Sequence, residues 1–369
     1  MACGSDSLPV IDLGPETGAT DEIQARVLVS GLDTPWDLAM APDGFLWVTE
    51  RRGVISRVNP ANGDIQEVGR IGVHEESESG LMGMALHPDF PGQPFIYLFY
   101  SYQERFSGGD VILNRLIRMP YAGTRLGDEE ILIDGIPGGR IHDGARLAIG
   151  PDRYLYVTIG DTGQQPSAQD TSSLIGKVLR LTLDGQPAPD NPFGNEVYSY
   201  GHRNPQGIVS HPTAGHLYVT EHGPSDNDEL NLLVPGGNFG WPNVRGFCDN
   251  DVANLDELAF CASETVIEPL KAYTPTVAPA GMDFYDSDLI PAWRGSILFT
   301  TLKASSLYRV ELSIDGTIAT DEEILFKSSF GRLRDVLVAP DGRVYLATSN
   351  RDGRGNPIAD DDRIIVISP

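Results

Sequence analysis

The segment that decides the fold reads Arg140-Ile-His-Asp-Gly-Ala-Arg-Leu-Ala-Ile-Gly-Pro-Asp-Arg-Tyr-Leu-Tyr-Val-Thr-Ile-Gly-Asp161. Residues 145–149 are short and mostly apolar, residues 150–152 have turn chemistry, and residues 154–159 form a β-branched and aromatic run. Two such runs around a tight turn predict a β-hairpin. His142 stands immediately ahead of the first strand of this hairpin.

The same hairpin recurs along the chain. Its copies span residues 36–50, 83–98, 147–157, 208–220, 282–299 and 336–346. Further strand pairs lie between the copies, and no helical period is present. Four strands per unit, repeated about every 40 to 75 residues, predict an all-β fold, a six-bladed β-propeller with four antiparallel strands per blade. A β-sandwich or two separate β domains would not explain six copies of one hairpin.

The last repeat unit is one strand short, because only residues 363–367 follow its hairpin as a strand. The apolar run Arg26–Ser30 has no sequential partner ahead of it. We therefore expect this N-terminal strand to complete the last blade and close the ring. Residues 1–22 are rich in Gly, Asp, Pro and Thr and are interpreted as an extended tail. Residues 23–369 are then a single propeller domain.

The chain is strongly acidic, with a formal net charge of −25 and a pI near 4.5. Such a field repels nucleic acid and anionic membrane surfaces and excludes both as partners. No apolar run is long enough to span a membrane. Ala2-Cys3-Gly4-Ser5 fits the remnant of a lipoprotein signal, with a lipid anchor at Cys3, or a native start with an incidental cysteine. Both interpretations remain open.

Cys248 and Cys261 enclose a segment that is rich in Asp and Asn. A disulfide that closes this loop would contribute about 3 kcal/mol and would place the protein outside the cytosol. The alternative is two free thiols. We expect the disulfide and an extracytoplasmic protein that is periplasmic, secreted or lipid-anchored at the cell surface.

Basic side chains fall at comparable loop positions of three different blades. In a propeller the inner strands line the channel, and the segments that lead into them crowd one mouth. Arg203, Lys303, Arg332 and Arg334 occupy such segments. Four cations directed at one mouth indicate an anionic ligand. The alternative for each cation alone is a solvated charge or a salt bridge between blades.

Five motifs together resemble those of the soluble, pyrroloquinoline-quinone (PQQ)-dependent aldose sugar dehydrogenases, which include soluble glucose dehydrogenase. The motifs are Ile141-His-Asp-Gly-Ala-Arg-Leu147, Gly201-His-Arg-Asn-Pro-Gln-Gly207, Glu221-His-Gly-Pro224 with Asp228-Glu-Leu-Asn231, Gly236-Gly-Asn-Phe-Gly-Trp-Pro242 and Gly331-Arg-Leu-Arg-Asp335. The resemblance extends from about residue 30 to the C-terminus and implies the six-bladed propeller that the repeats predict.

The resemblance implies a function and a set of site residues. The expected reaction is oxidation of the C1 hydroxyl of aldose sugars to lactones, with PQQ and Ca²⁺ as cofactors and an external electron acceptor. His142 matches the general base, which takes the hydroxyl proton while hydride passes to the quinone, and Asp161 matches its carboxylate partner. The residues that match the PQQ site are Arg203, Asn204, Lys303, Arg332, Arg334 and Glu78, and the backbone carbonyls of Gly223 and Pro224 match the calcium ligands.

Two positions depart from the family pattern. Glu78 and His222 stand where glutamine is common, and both bear on cofactor affinity and the calcium ligand set. The run Asp143-Gly144-Ala145 after His142 is expected to alter the local loop without removing the base.

Other hypotheses concern the function and the remaining acidic segments. The alternatives to the dehydrogenase are a calcium-dependent lactonase-type hydrolase and a non-catalytic binding propeller. The acidic clusters at residues 226–229 and 360–362 predict either calcium sites or solvated faces. Residues 104–110 and 249–265 are expected to form the substrate side of the mouth.

Overall fold

The computed structural model describes residues 10–11, 23–249 and 256–369, whose strands form six antiparallel sheets. In chain order the strands are β1 (Val10–Ile11), β2 (Gln24–Val29), β3 (Pro35–Met40), β4 (Leu46–Glu50), β5 (Val54–Val58), β6 (Ile65–Arg70), β7 (Leu81–Leu86), β8 (Phe95–Phe106), β9 (Gly109–Pro120), β10 (Glu130–Pro137), β11 (Leu147–Ile149), β12 (Leu155–Ile159), β13 (Lys177–Leu181), β14 (Val197–Tyr200), β15 (Pro205–Ser210), β16 (Leu217–Glu221), β17 (Asp228–Leu232), β18 (Lys271–Tyr273), β19 (Pro279–Tyr285), β20 (Ser296–Thr301), β21 (Leu307–Leu312), β22 (Ala319–Leu325), β23 (Leu333–Val338), β24 (Val344–Thr348) and β25 (Ile364–Ser368).

Each sheet is one blade of a propeller. Blades 1 to 5 are the consecutive meanders β3–β6, β7–β10, β11–β14, β15–β18 and β19–β22. The innermost strands β3, β7, β11, β15, β19 and β23 each contact the next around a closed ring. The predicted six-bladed propeller with four antiparallel strands per blade is therefore confirmed.

Blade 6 combines both ends of the described chain. It runs β23-β24-β25-β2, and β2 pairs antiparallel with β25, with Ala25 opposite Ile367 and Val27 opposite Ile365. The predicted closure by an N-terminal strand is confirmed. β1 adds a short fifth strand outside β2. The rest of the predicted tail, with Cys3, lies outside the described residues.

The helical elements are short. They are α1 (Glu257–Ser263), which Asp256 caps through the backbone N–H of Ala259, and the 3₁₀ turns Gln165–Gln169 and Pro291–Trp293. Within the described segments, no helix is long and apolar enough to cross a membrane. The predicted disulfide between Cys248 and Cys261 is confirmed.

The core lies between the blades, because each sheet packs against a neighbouring blade on both faces. Second strands are consequently buried along their whole length, as in Leu46–Glu50 and Leu155–Ile159. Outer strands such as Ile65–Arg70 are mostly exposed. Strands that are buried on both faces read as continuous apolar runs, which is the pattern that made the repeats visible in the sequence.

A threonine near the end of the second strand ties several blades to the next. The hydroxyls of Thr49, Thr158 and Thr220 donate to the carbonyls of Met82, Pro205 and Ala280, at 2.7, 2.8 and 3.0 Å. Each of these carbonyls lies on or at the start of the inner strand of the following blade. The repeated Val-Thr dipeptide of the sequence is therefore an inter-blade hydrogen bond in the structure.

One buried guanidinium joins the blades around the channel. Arg146 Nη1 lies 2.8 Å from Asp37 Oδ1 and 3.0 Å from Asp335 Oδ1, and Nε donates to Gln206 O at 3.0 Å. These residues come from blades 3, 1, 6 and 4. The side chain of Arg146 is 5% exposed. Burial raises the pKa of both carboxyl groups, and the charge of Arg146 opposes that effect.

We expect Arg146→Met to be strongly destabilising, because it leaves two buried carboxylates without their cation. Removal of one partner from a buried ion pair costs about 3 to 5 kcal/mol. Urea unfolding at neutral pH measures the change in the free energy of unfolding. The matched control is Arg153→Met, whose pair with Asp89 is exposed at both ends and contributes less than about 1 kcal/mol. Equal losses in the two variants would contradict the assignment.

Candidate active site

His142 and Asp161 lie together at the entrance and the end of the blade 3 hairpin. His142 Nδ1 is 2.8 Å from Asp161 Oδ1, and the two side chains are 15% and 1% exposed. A Cβ atom at Gly160 would lie 2.0 Å from His142 O. Glycine at that position therefore allows the two ends of the hairpin to approach. The structure brings together the two residues that were predicted as the base and its carboxylate.

Hydrogen bonds keep Asp161 ionised. Burial raises the pKa of Asp161, but donation from His142, from the backbone N–H of Gly163 and from Trp241 outweighs it and holds the pKa below its usual range. An ionised carboxylate only accepts hydrogen bonds, so Nδ1 of His142 carries the ring proton in this pair. Nε2 is then the basic nitrogen.

Trp241 is a site residue that the sequence did not identify. Its indole Nε1 donates to Asp161 Oδ2 at 2.8 Å, and its own carbonyl accepts from Gln169 Nε2 at 2.7 Å. Asn238 Nδ2 donates to Gln169 Oε1 at 2.9 Å. The sequence shows the Gly236–Pro242 motif, but a tryptophan in such a motif could equally pack in the core without contacting a ligand.

A narrow cavity opens at the mouth of the channel. It contains three of the predicted cofactor residues, Glu78, Arg332 and Arg334, and several groups that were not predicted. The full lining is Trp36, Arg51, Ser77, Glu78, Met82, Asp143, Gln206, His222, Leu302, Arg332, Arg334, Asp352 and Arg354.

Arg332 and Arg334 differ in their partners. Arg332 binds Asp352 through Nε and Nη2, both at 2.8 Å from Oδ2. Arg334 forms no ion pair within the described segments; its Nη1 donates to Gln206 Oε1 at 2.7 Å, and its buried Nε has no partner there. Burial, together with the nearby charge of Arg332, lowers the pKa of Arg334 to about 9.

Arg203 and Asn204 also carry donors without partners. Arg203 Nη1 donates to His222 O at 3.0 Å and to Gly223 O at 2.8 Å. Arg203 Nε and Asn204 Nδ2 are buried and have no hydrogen-bond partner in the part of the chain that is described. Burial lowers the pKa of Arg203.

The two departures Glu78 and His222 meet at the same wall. Glu78 Oε2 accepts from the backbone N–H of His142 at 3.0 Å, and Oε1 pairs with Arg354 at 3.0 Å. Burial raises the pKa of Glu78, but the hydrogen bond from the His142 N–H and the positive charge of Arg354 outweigh it. The net shift is downward. His222 Nε2 lies 2.7 Å from Pro279 O, and burial lowers the pKa of His222 to about 3. This imidazole is therefore neutral and donates from Nε2.

Lys303 and the two predicted calcium ligands lie outside the main cavity. Lys303 is exposed at the rim, and its Nζ donates to Thr276 Oγ1 at 2.5 Å. Its neighbour Leu302 reaches the cavity wall instead. Gly223 and Pro224 line a smaller adjacent cavity, which Arg203 and Trp241 also line.

The acidic clusters at residues 226–229 and 360–362 are mostly buried, although Asp360 is exposed. Asp228 accepts the backbone N–H groups of Gly223, Val277 and Ala278 at 2.6–2.7 Å. Asp362 is fully buried. The described ranges contain no group of three or more His, Cys, Asp or Glu side chains that could hold a metal ion. The solvated-face interpretation is wrong for the buried Asp228, Glu229, Asp361 and Asp362, whereas it holds for the exposed Asp360.

The unpaired buried groups of Arg203, Asn204 and Arg334 share one property, which is that all three are donors. A buried donor without an acceptor costs about 1 to 3 kcal/mol. A ligand rich in anionic oxygens would satisfy all three. The site therefore fits an anionic, acceptor-rich ligand beside a histidine that is free to take a proton.

Comparison with known proteins matches the sequence and the fold of this chain to one family. A family model described as glucose/sorbosone dehydrogenase matches residues 32–359. Quinoprotein glucose dehydrogenase B of Acinetobacter calcoaceticus is 31% identical over 427 residues, which cover 94% of this chain and 88% of that protein. Aldose sugar dehydrogenase YliI of Escherichia coli K12 is 30% identical, with 90% and 91% covered.

Solved structures agree with the sequence matches. The PQQ-bound form of aldose sugar dehydrogenase from Streptomyces coelicolor has a TM-score of 0.80 at 36% identity and covers 95% of this chain and 99% of that chain. The resemblance predicted from the motifs is confirmed, and this chain belongs to the glucose/sorbosone dehydrogenase family.

Proposed function

We propose that this protein is a PQQ-dependent aldose sugar dehydrogenase that oxidises the C1 hydroxyl of aldoses to lactones, with His142 as the general base. Dehydrogenase activity follows from membership of the family. The observation that supports the residue assignment is the His142–Asp161 pair beside a cavity lined by Arg332 and Arg334. When bound, the quinone supplies a two-electron acceptor.

The unpaired donors are the groups that we assign to the cofactor. Arg334 Nε, Arg203 Nε and Asn204 Nδ2 would donate to its carboxylate and quinone oxygens, because each is buried without an acceptor. Arg332 adds a guanidinium in the same wall, and Lys303 adds an ammonium group at the rim. Glu78 is compatible with an anionic ligand because Arg354 balances its charge at 3.0 Å.

Calcium would bind through the carbonyl oxygens of Gly223 and Pro224. Ca²⁺ takes about six to eight oxygen ligands. These two carbonyls would supply only part of such a set. Gly223 O accepts from Arg203 Nη1 in this structure. Calcium at that oxygen would therefore release one donor of Arg203 for the cofactor.

His142 would take the C1 hydroxyl proton at Nε2. The Nδ1–H bond to Asp161 fixes the tautomer and stabilises the imidazolium that forms. Trp241 holds the second oxygen of Asp161 and keeps the carboxylate in line with the ring.

Two chain extensions are assigned to the substrate side. β8 and β9 are each 12 residues long and carry residues 104–110 well beyond the other blades. The second predicted segment, residues 249–265, contains α1, and Cys261 in it forms the disulfide with Cys248. Residues 250–255 lie outside the described residues. The disulfide supports an extracytoplasmic location, where an external acceptor would take the electrons.

The proposal is tested by an absorbance titration of the apoprotein with PQQ, with and without calcium, followed by dye reduction with aldoses. We expect saturable quinone binding that calcium strengthens and aldose-dependent dye reduction that a chelator abolishes. Arg334→Met should weaken quinone binding, because it removes the unpaired guanidinium, whereas the exposed Arg294→Met should not. Absence of quinone binding at micromolar concentration would reject the proposal in favour of a non-catalytic propeller.

His142→Asn should retain quinone binding and lose turnover by about 10²- to 10⁴-fold, the usual contribution of a general base. Steady-state kcat with a saturating aldose measures the loss. His87→Gln, at an exposed turn on blade 2, is the matched control and should keep kcat. Full activity of His142→Asn would exclude the base assignment.

Trp241→Phe should lower kcat by about 10- to 100-fold, because a hydrogen bond to a charged group contributes about 1.5 to 3 kcal/mol. Loss of this donor raises the pKa of Asp161, so the acid limb of the kcat profile should move to higher pH. Trp47→Phe is the control, because its buried Nε1 has no partner within the described segments. An unchanged pH profile in Trp241→Phe would show that the indole only packs.

A further inference from the structure

Asp143 is a buried carboxyl group at the cavity wall with one oxygen unused. The residue follows His142 and is 1% exposed. Its Oδ1 accepts from Asn114 Nδ2 at 2.7 Å and from the backbone N–H of Gly139 at 3.0 Å. Ser101 Oγ donates to Asn114 Oδ1 at 2.7 Å, which fixes the amide with its NH₂ group toward Asp143. Asp143 Oδ2 is buried and has no partner among the described residues.

This distribution of donors fits a neutral carboxylic acid. Both donors converge on Oδ1, as expected for a carbonyl oxygen, and none reaches Oδ2. An anionic oxygen that is buried without a donor is costly, whereas a hydroxyl at that position needs only an acceptor. Burial raises the pKa of Asp143 to about 7; the two donors oppose this effect, and the negative charge of Glu78 adds to it.

Most of the other charged side chains that line the same cavity form ion pairs with each other or with neighbouring residues. Arg51 pairs with Glu75, Arg332 with Asp352, and Arg354 with Glu78. His222 is neutral, and Arg334 donates to an amide oxygen. His142, the adjacent residue, directs its Nδ1 to Asp161. None of these groups makes a hydrogen bond to Asp143 Oδ2.

We propose that Asp143, in its acid form, donates a hydrogen bond from Oδ2 to an anionic oxygen of the bound quinone cofactor, so that cofactor affinity depends on this proton. The inference rests on the proposed function and adds a specific donor to it. Ionised Asp143 would instead place a negative charge against a ligand that carries several carboxylates.

The sign of the pH effect follows from the form that binds. The acid form predominates below about pH 7, so affinity should be full there and should fall as pH rises. The limiting loss is about tenfold for each pH unit, because one proton is linked to binding. Arg334, with a pKa of about 9, keeps its charge through most of this range.

The first test measures the dissociation constant of PQQ by tryptophan fluorescence between about pH 6 and about pH 8.5. It compares the calcium-loaded wild type with calcium-loaded Asp143→Asn. Asparagine keeps an acceptor for Asn114 and Gly139 and places a permanent N–H donor at the Oδ2 position. We expect the affinity of the wild type for PQQ to fall by about tenfold or more as the pH rises across this range. The affinity of the variant should lack this pH-dependent loss. Asp283→Asn, a buried carboxyl at the opposite end of the channel, is the control and should keep the wild-type slope.

A second test measures the linked proton directly. Calorimetric titration of wild-type protein at about pH 8, in buffers of different ionisation enthalpy, measures the protons taken up when PQQ binds. Uptake that approaches one proton and is lost in Asp143→Asn supports the inference. Binding without uptake, or equal pH slopes in wild type and variant, would overturn it alone. Absence of PQQ binding at every pH would overturn the proposed function together with it.

Discussion

The architecture depends on the ionic contact of Arg146 with Asp37 and Asp335 across the channel. Asp37 and Asp335 also accept the backbone N–H groups of Met84 and Leu38, each on the inner strand of the next blade. One guanidinium thereby links five of the six blades. Buried ion pairs are poor sources of net stability, but they penalise any arrangement that separates their members. The triad therefore specifies how the ring closes.

The same contact positions the candidate active site. The Arg146 guanidinium lies 4.3 Å from the ring centroid of Trp36, and Trp36 is a wall of the mouth cavity. His142 lies four residues before Arg146, in the segment that leads into β11. One short segment of the chain therefore positions both the proposed base, His142, and the buried Arg146. Movement of Arg146 would therefore displace both Trp36 in the cavity wall and the imidazole of His142.

The sequence predicted features that repeat or that lie close along the chain. The blade count, the closing strand and the pairing of His142 with Asp161 all follow from the hairpin pattern. Trp241, Gln169 and the unpaired oxygen of Asp143 could not be predicted, because they depend on contacts between blades at large sequence separation. Spacing alone also could not show that Arg332 has a carboxylate partner while Arg334 has only an amide. The side-chain contacts at the channel mouth decide which of these arginines remains available to a ligand.

Asp161 and Asp143 show why burial alone does not set the charge of a carboxyl group. Both are at most 1% exposed, and both adjoin His142. Asp161 receives donors on both oxygens, from His142 and Gly163 on Oδ1 and from Trp241 on Oδ2, and its pKa is lowered. Asp143 receives donors on one oxygen only, and its pKa is raised to about 7. The number and placement of donors thus separate the two carboxyl groups. One is an anion that orients the proposed base, and the other is an acid that can still donate a hydrogen bond.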